Sequence, residues 1–442
     1  MHVLIIGNGI AGITAARHIR KRDSAARITV VSGESKFFFS RTALMYVYMG
    51  HMKFEHTKPY EDWFWEKNRI TLKQQWVKSI DIDANRILCS DESSIPYDKL
   101  ILALGSKPRM LSWKGIDAQG VQALYSKQDL EAIERNTVNA THAAIVGGGL
   151  IGIEMAEMLR SRDIEVTMII REDRIWGNVL PESEASLIKD HLEAHGVHFI
   201  FNAELEEIHR DSNNRVKGVS LKNGQEISCD FLGICIGVQP NIEFLKDSGL
   251  DLNQGVLVDE YLQSSRPGVY AIGDCAELKD PPDGRSAVEQ MWYTGRMMGE
   301  CVAVTLCGER TVYKPGPFFN SAKFFDLEFQ TYGNVSSERS TSDFVWISED
   351  QRSLIRISYD HNSEIVYGVN AIGFRLRHEL LDKWLLEGIA LDQFVEELSS
   401  LDFNPEFNKK RVRIIKESYS KQTGRQLKKT PKNWRRILSG KL

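Results

Sequence analysis

Two glycine clusters, Gly7-Asn8-Gly9-Ile10-Ala11-Gly12 and Gly147-Gly148-Gly149-Leu150-Ile151-Gly152, stand about 140 residues apart in a chain of 442. Glycines at this spacing let a strand-to-helix turn close tightly and let its backbone come against a pyrophosphate. The phosphate charge then meets exposed N–H groups and the positive end of the following helix. Any tight turn can imitate one such cluster, so context decides. Here both clusters have it: His2-Val3-Leu4-Ile5-Ile6 and Ala143-Ala144-Ile145-Val146 read as short buried strands ahead of them, and helix-like runs follow. The chemistry implied is the binding of two dinucleotides. Glu34, about twenty-two residues after Gly12, stands where this fold needs a carboxylate to accept hydrogen bonds from ribose hydroxyls. In the second unit the strand from Glu165 ends without such an acid. Ile170 takes the expected position, and Arg171 follows, a side chain able to pair with a 2′-phosphate. The second site therefore tilts toward NADPH over NADH, with Glu172 within register error.

The elements that must position these residues form a regular order. Strand, glycine turn, a helix over Ala11 to Lys21 and the strand Ile28-Thr29-Val30-Val31 open a first unit, which Ala103-Leu104-Gly105 closes after another buried strand. A second βαβ pattern runs from about 121 to 239, with a helix from Ile151 to Arg160 and a glycine exit at Gly237. Later, Gly268-Val269-Tyr270-Ala271-Ile272-Gly273-Asp274 reads as a buried strand whose terminal carboxylate can hydrogen-bond a polyol hydroxyl. A helix starting near Glu289-Gln290 to Thr294 can aim N–H groups at a developing anion, and Trp292 or Tyr293 can shield a flat ring or simply fill core. Mixed strands and a helix from Arg377 to Leu386 make a third, α+β domain. The expected fold is α/β: two Rossmann-like dinucleotide-binding domains plus a C-terminal α+β interface domain. The boundaries are 1–110 with 240–315, 111–239, and 316–395, followed by a basic extension over 396–442.

Composition bounds the setting. Hydrophobic residues make up 42% and charged residues 26%, as in a globular enzyme. No apolar run is long enough to span a bilayer, and a strand beginning at residue 2 leaves no room for a signal peptide, so a cytoplasmic enzyme without a membrane partner is expected. The six cysteines are scattered singly, without a CxxC pair or zinc-type spacing, which excludes a dithiol relay and a metal site from the expectation. Net charge is −4, but Pro405 to Leu442 carries thirteen lysines and arginines against two acids. That tail reads as helical from about Lys409 to Glu417 and looser beyond Thr423.

Taken together, Gly7 to Gly12, Gly33-Glu34, Ser40-Arg41-Thr42-Ala43-Leu44, Ala103-Leu104-Gly105, Gly147 to Gly152 and Ala271-Ile272-Gly273-Asp274-Cys275-Ala276-Glu277 give the chain a resemblance over about residues 1 to 390. It resembles the two-dinucleotide-fold flavoprotein reductases of the pyridine nucleotide-disulfide oxidoreductase superfamily, nearest to ferredoxin and rubredoxin reductases and the flavin portion of NAD(P)H nitrite reductases. The resemblance implies FAD on the first glycine turn, NADPH or NADH on the second, Asp274 on the FAD ribityl chain, and a C-terminal domain used for homodimers. It also implies that Ala43 stands where single-cysteine members carry their redox thiol. Ferredoxin reductase-like members place a lysine near the flavin opposite a helix glutamate. Glu154 matches the glutamate, Tyr46 stands nearest the lysine, and Arg41 is a substitute partner for Glu154.

The expectation is an FAD-dependent NAD(P)H oxidoreductase. Hydride passes from NAD(P)H to FAD, and electrons pass on to a small, acidic iron–sulfur or rubredoxin-like carrier, without a redox cysteine. Lys409-Lys410-Arg411, Lys428-Lys429 and Arg435-Arg436 would steer that carrier. An NAD(P)H oxidase or quinone reductase is the first alternative. The second is an NAD(P)H-sensing flavoprotein whose basic tail, with Trp434 beside Lys432, Arg435 and Arg436, holds nucleic acid.

Overall fold

Apolar runs ending in glycine turns build the first sheet. In the computed structural model, which describes residues 1–335 and 342–427 and of 405–409 the backbone alone, this sheet has five parallel strands. Their order is Val269–Ala271, Lys99–Leu102, His2–Ile6, Arg27–Ser32, Ile70–Gln74. Strands covered on both faces read as unbroken apolar runs, and Val3 to Ile5 and Leu100 to Leu102 are 0% exposed. The helix Ile10–Arg22 lies against the helix Trp292–Leu306 at a crossing only small residues permit. A Cβ on Gly299 would stand 2.6 Å from the Ala11 carbonyl oxygen, and one on Gly295 3.5 Å from Ala11 Cβ. A segment from late in the chain thus completes the sheet begun at residue 2.

The second sheet repeats the plan: Val197–Ile200, Glu165–Ile169, His142–Val146, Phe231–Ile234 and Val121–Gln122, all parallel. The repetition extends to side chains. His2 Nε2 lies 2.9 Å from Thr29 Oγ1, and His142 Nε2 lies 2.9 Å from Thr167 Oγ1. Asp98 and Asp230, just ahead of Lys99–Leu102 and Phe231–Ile234, accept from the backbone N–H of His2 and His142. Short antiparallel strands, Ser106–Pro108 with Val238–Pro240, join the two nucleotide units.

The chain divides into two compact units, Met1–Gly177 with Leu192–Pro315, and Asn178–His191 with Gly316–Leu442. Residues 178–191, inside the span 111–239 read as the second nucleotide domain, thus cluster with the C-terminal part. A buried charge cluster explains it. Arg356 donates to Glu184 at 2.7 and 3.0 Å, to Asp343 at 2.6 Å and to Ser183 at 2.7 Å, and Asn370 also donates to Glu184. The C-terminal unit is α+β, with antiparallel strands in the order Phe319–Phe324, Leu327–Gly333, Val366–Ile372, Leu354–Tyr359, Ser342–Ile347. The helix Pro405–Thr423 belongs to its core through Val412, Ile415 and Tyr419, packed with Phe344 and Trp346.

The tail is therefore longer in its helix than the sequence pattern suggested, and it is partly built in. Arg411 lies over the Phe374 ring at 4.8 Å, and Arg425 pairs with Glu364 and Asp392. Lys428, Lys429, Lys432, Trp434, Arg435 and Arg436 lie outside the described residues.

Glu184 is 0% exposed, so removing it takes away two hydrogen bonds from buried Arg356 and one from Asn370, leaving Arg356 with Asp343 and Ser183. Glu184→Ala is expected to cost the C-terminal unit about 3–5 kcal/mol in urea unfolding. A loss under about 1 kcal/mol would mean the cluster is only a surface pair.

Candidate functional site

Each glycine of the two clusters meets a different neighbour, and the two clusters agree position by position. At Gly7 (φ +111°) a Cβ would fall 2.0 Å from the carbonyl oxygen of Ala103, and at Gly147 (φ +113°) 2.2 Å from that of Cys235. At Gly12 and Gly152 it would fall 2.1 and 2.5 Å from the carbonyl oxygens of Gly7 and Gly147. At Gly9 and Gly149, however, nothing lies within 4 Å, and φ is an ordinary −73° and −86°. Protein packing therefore demands the outer glycines and leaves the middle ones open. A backbone without a side chain beside open space suits the close approach of a pyrophosphate. The helices Ile10–Arg22 and Leu150–Arg160 begin right there, and neither has a side-chain cap, so their first-turn N–H groups, starting at Ile10, Ala11, Leu150 and Ile151, face the opening.

Around the first turn, Asn8 donates to Ser35 and Phe37, which ties the turn to the loop carrying Glu34. Arg41 forks onto Glu34, Nη1 to Oε1 at 2.8 Å and Nη2 to Oε2 at 2.6 Å, and its Nη1 also donates to the Tyr125 carbonyl. Glu34 Oε1 takes a further bond from the N–H of Lys127. Oε2 keeps an acceptor site free for a ribose hydroxyl. Arg41 was expected opposite Glu154 as a substitute for the missing lysine. The structure instead commits its planar fork to Glu34, over the Tyr125 ring at 4.5 Å.

Asp274 follows Gly273, where positive φ (+70°) and a Cβ distance of 3.0 Å to Ala11 favour glycine. Its Oδ2 accepts from Ser106 Oγ at 2.9 Å and from the Tyr125 hydroxyl at 3.4 Å, and Gln290 donates to Ser106 Oγ at 2.7 Å. Burial pushes this carboxyl up, against the pull of Ser106, Arg41 and Tyr125. Leu104 donates its N–H to Cys275 Sγ, and Gly105 (φ +67°) passes under the Tyr125 hydroxyl. One carboxylate and several hydroxyls thus gather in a half-buried patch beside the first turn. Tyr125, Ser106, Asn8 and Lys127 were missed from sequence. Only Asn8, inside its motif, had a positional signal.

Glu289 departs from expectation. It forms a buried ion pair with Arg285 and also accepts from Thr294, so its carboxylate is already used. Trp292 opens its helix 38% exposed and edge-on to Tyr293. In the second unit, Gly237 (φ +102°) has open space about it. Arg171 is exposed and paired with Glu172 at 2.8 Å. Register explains the pair. Ile6 lies opposite Val31 and Val146 opposite Ile169, so three residues further on Glu34 corresponds to Glu172. Ile170, at the position first assigned to the acid, packs beneath Gly148.

Glu154 has no hydrogen-bond or ion-pair partner among the described residues. Burial, and then the buried Glu157 beside it, push its carboxyl up to about 7. Tyr46 shares the site: burial and these two glutamates raise its hydroxyl above the usual range. A carboxyl raised in the folded state adds stability below its unfolded value near 4.5 and loses it as pH climbs through about 7. Glu154→Gln is therefore expected to gain on the wild type in unfolding midpoint between pH 5 and pH 8. A difference that stays flat with pH would remove the raised carboxyl from the site.

Comparison with known proteins supplies the context. The family model for pyridine nucleotide-disulphide oxidoreductase matches residues 1–299. A rubredoxin-NAD(+) reductase of Ectopseudomonas oleovorans is 30% identical over 321 residues, 72% of this chain and 83% of that protein. An NADH oxidase of Methanocaldococcus jannaschii is 31% identical over 375 residues, 81% of this chain and 82% of its own length. Among solved structures, a ferredoxin reductase from Rhodopseudomonas palustris superposes with a TM-score of 0.78 at 25% identity, covering 84% of this chain and 91% of that one.

Proposed function

The chain belongs to the pyridine nucleotide-disulphide oxidoreductase family, as an FAD-dependent NAD(P)H oxidoreductase, and we propose that its electrons go to a small iron–sulfur or rubredoxin-like carrier. One observation carries this reading: no thiol is placed to relay electrons. All six cysteines are free, and burial pushes Cys229, Cys235 and Cys275 up to about 12, far from reactive thiolates. Ala43 occupies the place of a redox thiol. The relative from E. oleovorans acts, by its name, on rubredoxin, and we extend that acceptor class to this chain.

When bound, FAD supplies the conversion of a hydride pair into single electrons. The open backbone at Gly9 and the helix start at Ile10 would hold its pyrophosphate, Glu34 Oε2 a ribose hydroxyl, and Asp274 a polyol hydroxyl. Ser106 and Tyr125 orient Asp274, and Arg41 fixes Glu34. At the second turn, Gly149 and the helix start at Leu150 would take the nicotinamide dinucleotide, with Glu172 on its ribose. A carboxylate there accepts from a 2′-hydroxyl and repels a 2′-phosphate, so we read the reductant as NADH, against the tilt toward NADPH drawn from Arg171. Glu154, protonated or not near neutral pH, can hold a proton beside the second helix start.

Among the described residues no helix is long and apolar enough to cross a membrane, and the six free cysteines fit our assignment to the cytoplasm. Pairing of two copies through the C-terminal unit is part of the same reading. The described stretch of the basic tail is bound up in that unit, which weighs against a nucleic-acid arm.

Anaerobic reduction by NADH followed by mixing with rubredoxin or a ferredoxin should give turnover about tenfold or more above that with oxygen alone. Equal rates with oxygen alone would favour an oxidase, the activity named for the M. jannaschii relative. Alkylation of the NADH-reduced enzyme should leave carrier reduction within about twofold of the untreated enzyme. Glu172→Ala should lower kcat/KM for NADH by about tenfold and narrow its margin over NADPH. A wild type that prefers NADPH would return the assignment to Arg171.

A further inference from the structure

Trp76 is a large aromatic that none of the sites above uses. It follows the outermost strand of the first sheet, Ile70–Gln74, and is 59% exposed. Its backbone is nonetheless held in place: Gln75 N–H donates to Ser32 at 3.0 Å, and Ser90 N–H donates to the Trp76 carbonyl at 2.8 Å. The indole lies on Gly33, where a Cβ would stand 2.0 Å from Cδ2, 2.4 Å from Cε2 and 2.5 Å from Cε3. Both ring-fusion atoms and the adjoining benzo carbon so near one point mean that the fused rings cover the Gly33 backbone, and only glycine allows it. Gly33 directly precedes Glu34.

No ring or cation of the described residues stacks on Trp76. Trp63, equally exposed, differs: Phe64 lies 6.5 Å and Lys67 Nζ 5.1 Å from its ring. The order of strand ends says what Trp76 is placed for. The glycine turn follows His2–Ile6, Glu34 follows Arg27–Ser32, and Trp76 follows Ile70–Gln74, on three neighbouring parallel strands. All three lie at the carboxyl ends of the strands, where open α/β sheets take ligands. Adjacent strands are about 4.8 Å apart, so the three ends step across about 10 Å. Pyrophosphate, ribose and base follow one another in the same order along an ADP group. An exposed indole at the third step offers a π face to the third component.

We propose that Trp76 is the stacking platform for the adenine ring of FAD held at the first glycine turn. This rests on the reading of that turn as the FAD site. It adds the residue that anchors the adenosine end of the cofactor, remote from the chemistry.

The test uses the full chain stripped of flavin and titrated with FAD, ADP and FMN, which lacks the adenine. Trp76→Ala should weaken FAD and ADP binding by about tenfold and leave FMN binding unchanged. Trp76→Phe should keep most of the FAD affinity, whereas Trp76→Leu, of comparable apolar bulk without a π face, should lose it. This last pair decides the matter if Trp76→Ala does not fold. FAD bound equally well by Trp76→Ala and wild type, or FAD and FMN weakened alike, would overturn the platform and leave the FAD site standing. A wild type that takes up no FAD would overturn both.

Discussion

Two carbonyl oxygens, those of Ala103 and Cys235, sit where the side chains of residues 7 and 147 would otherwise be. That steric constraint governs the molecule. Because Gly7 and Gly147 lack a Cβ, the ends of Lys99–Leu102 and Phe231–Ile234 can close on the ends of His2–Ile6 and His142–Val146, and the following helix can start within the turn rather than beyond it. Gly12 and Gly152 then seat each helix on its own turn. The middle glycine of each cluster is left beside open space, and the uncapped first turn of the helix is aimed at it. Close packing on two sides creates the opening on the third.

Among the described residues, several inner carboxylates are met by arginine, whereas Glu154 is not. Glu34, Glu289 and Glu184 are each met by the fork of an arginine, with the geometry that repays desolvation best. They hold loops: the Glu34 loop beside the first turn, the approach to the helix Trp292–Leu306, and the 178–191 segment in the C-terminal unit. Glu154 has no such partner and stands near Glu157, so it stays close to its titration point at neutral pH. An arginine fork separates these three from Glu154, while the buried Glu277 is held instead by Asn253 and the Gly255 N–H.

The thiols follow the same logic in reverse. In apolar surroundings without a cation, Cys235 and Cys275 are packing atoms, although both lie beside glycine exits of the nucleotide units. Cys275 accepts from Leu104 N–H and donates to the Leu102 carbonyl, serving as a hinge pin between two strand ends. Position alone would make either cysteine suspect, and environment makes both inert.

Much of this was legible in the sequence because it depends on local sterics. Glycine at fixed offsets after an apolar strand has few alternative explanations, so both turns, both helix starts, the α/β class and the Gly273-Asp274 strand end could be read from residue order. Charge partners could not. Arg41 finds Glu34 and not Glu154, Arg285 pairs with Glu289, and strand register puts Glu172, two residues past Ile170, at the counterpart of Glu34. Tyr125 enters the first site from a loop with no motif. The basic tail read as a steering extension, but Val412, Ile415 and Tyr419 turn its helix inward. A backbone turn is decided by neighbours in sequence. A salt bridge or a buried helix face is decided by whichever chain segment the fold brings alongside, and that choice exists only once the tertiary structure has formed.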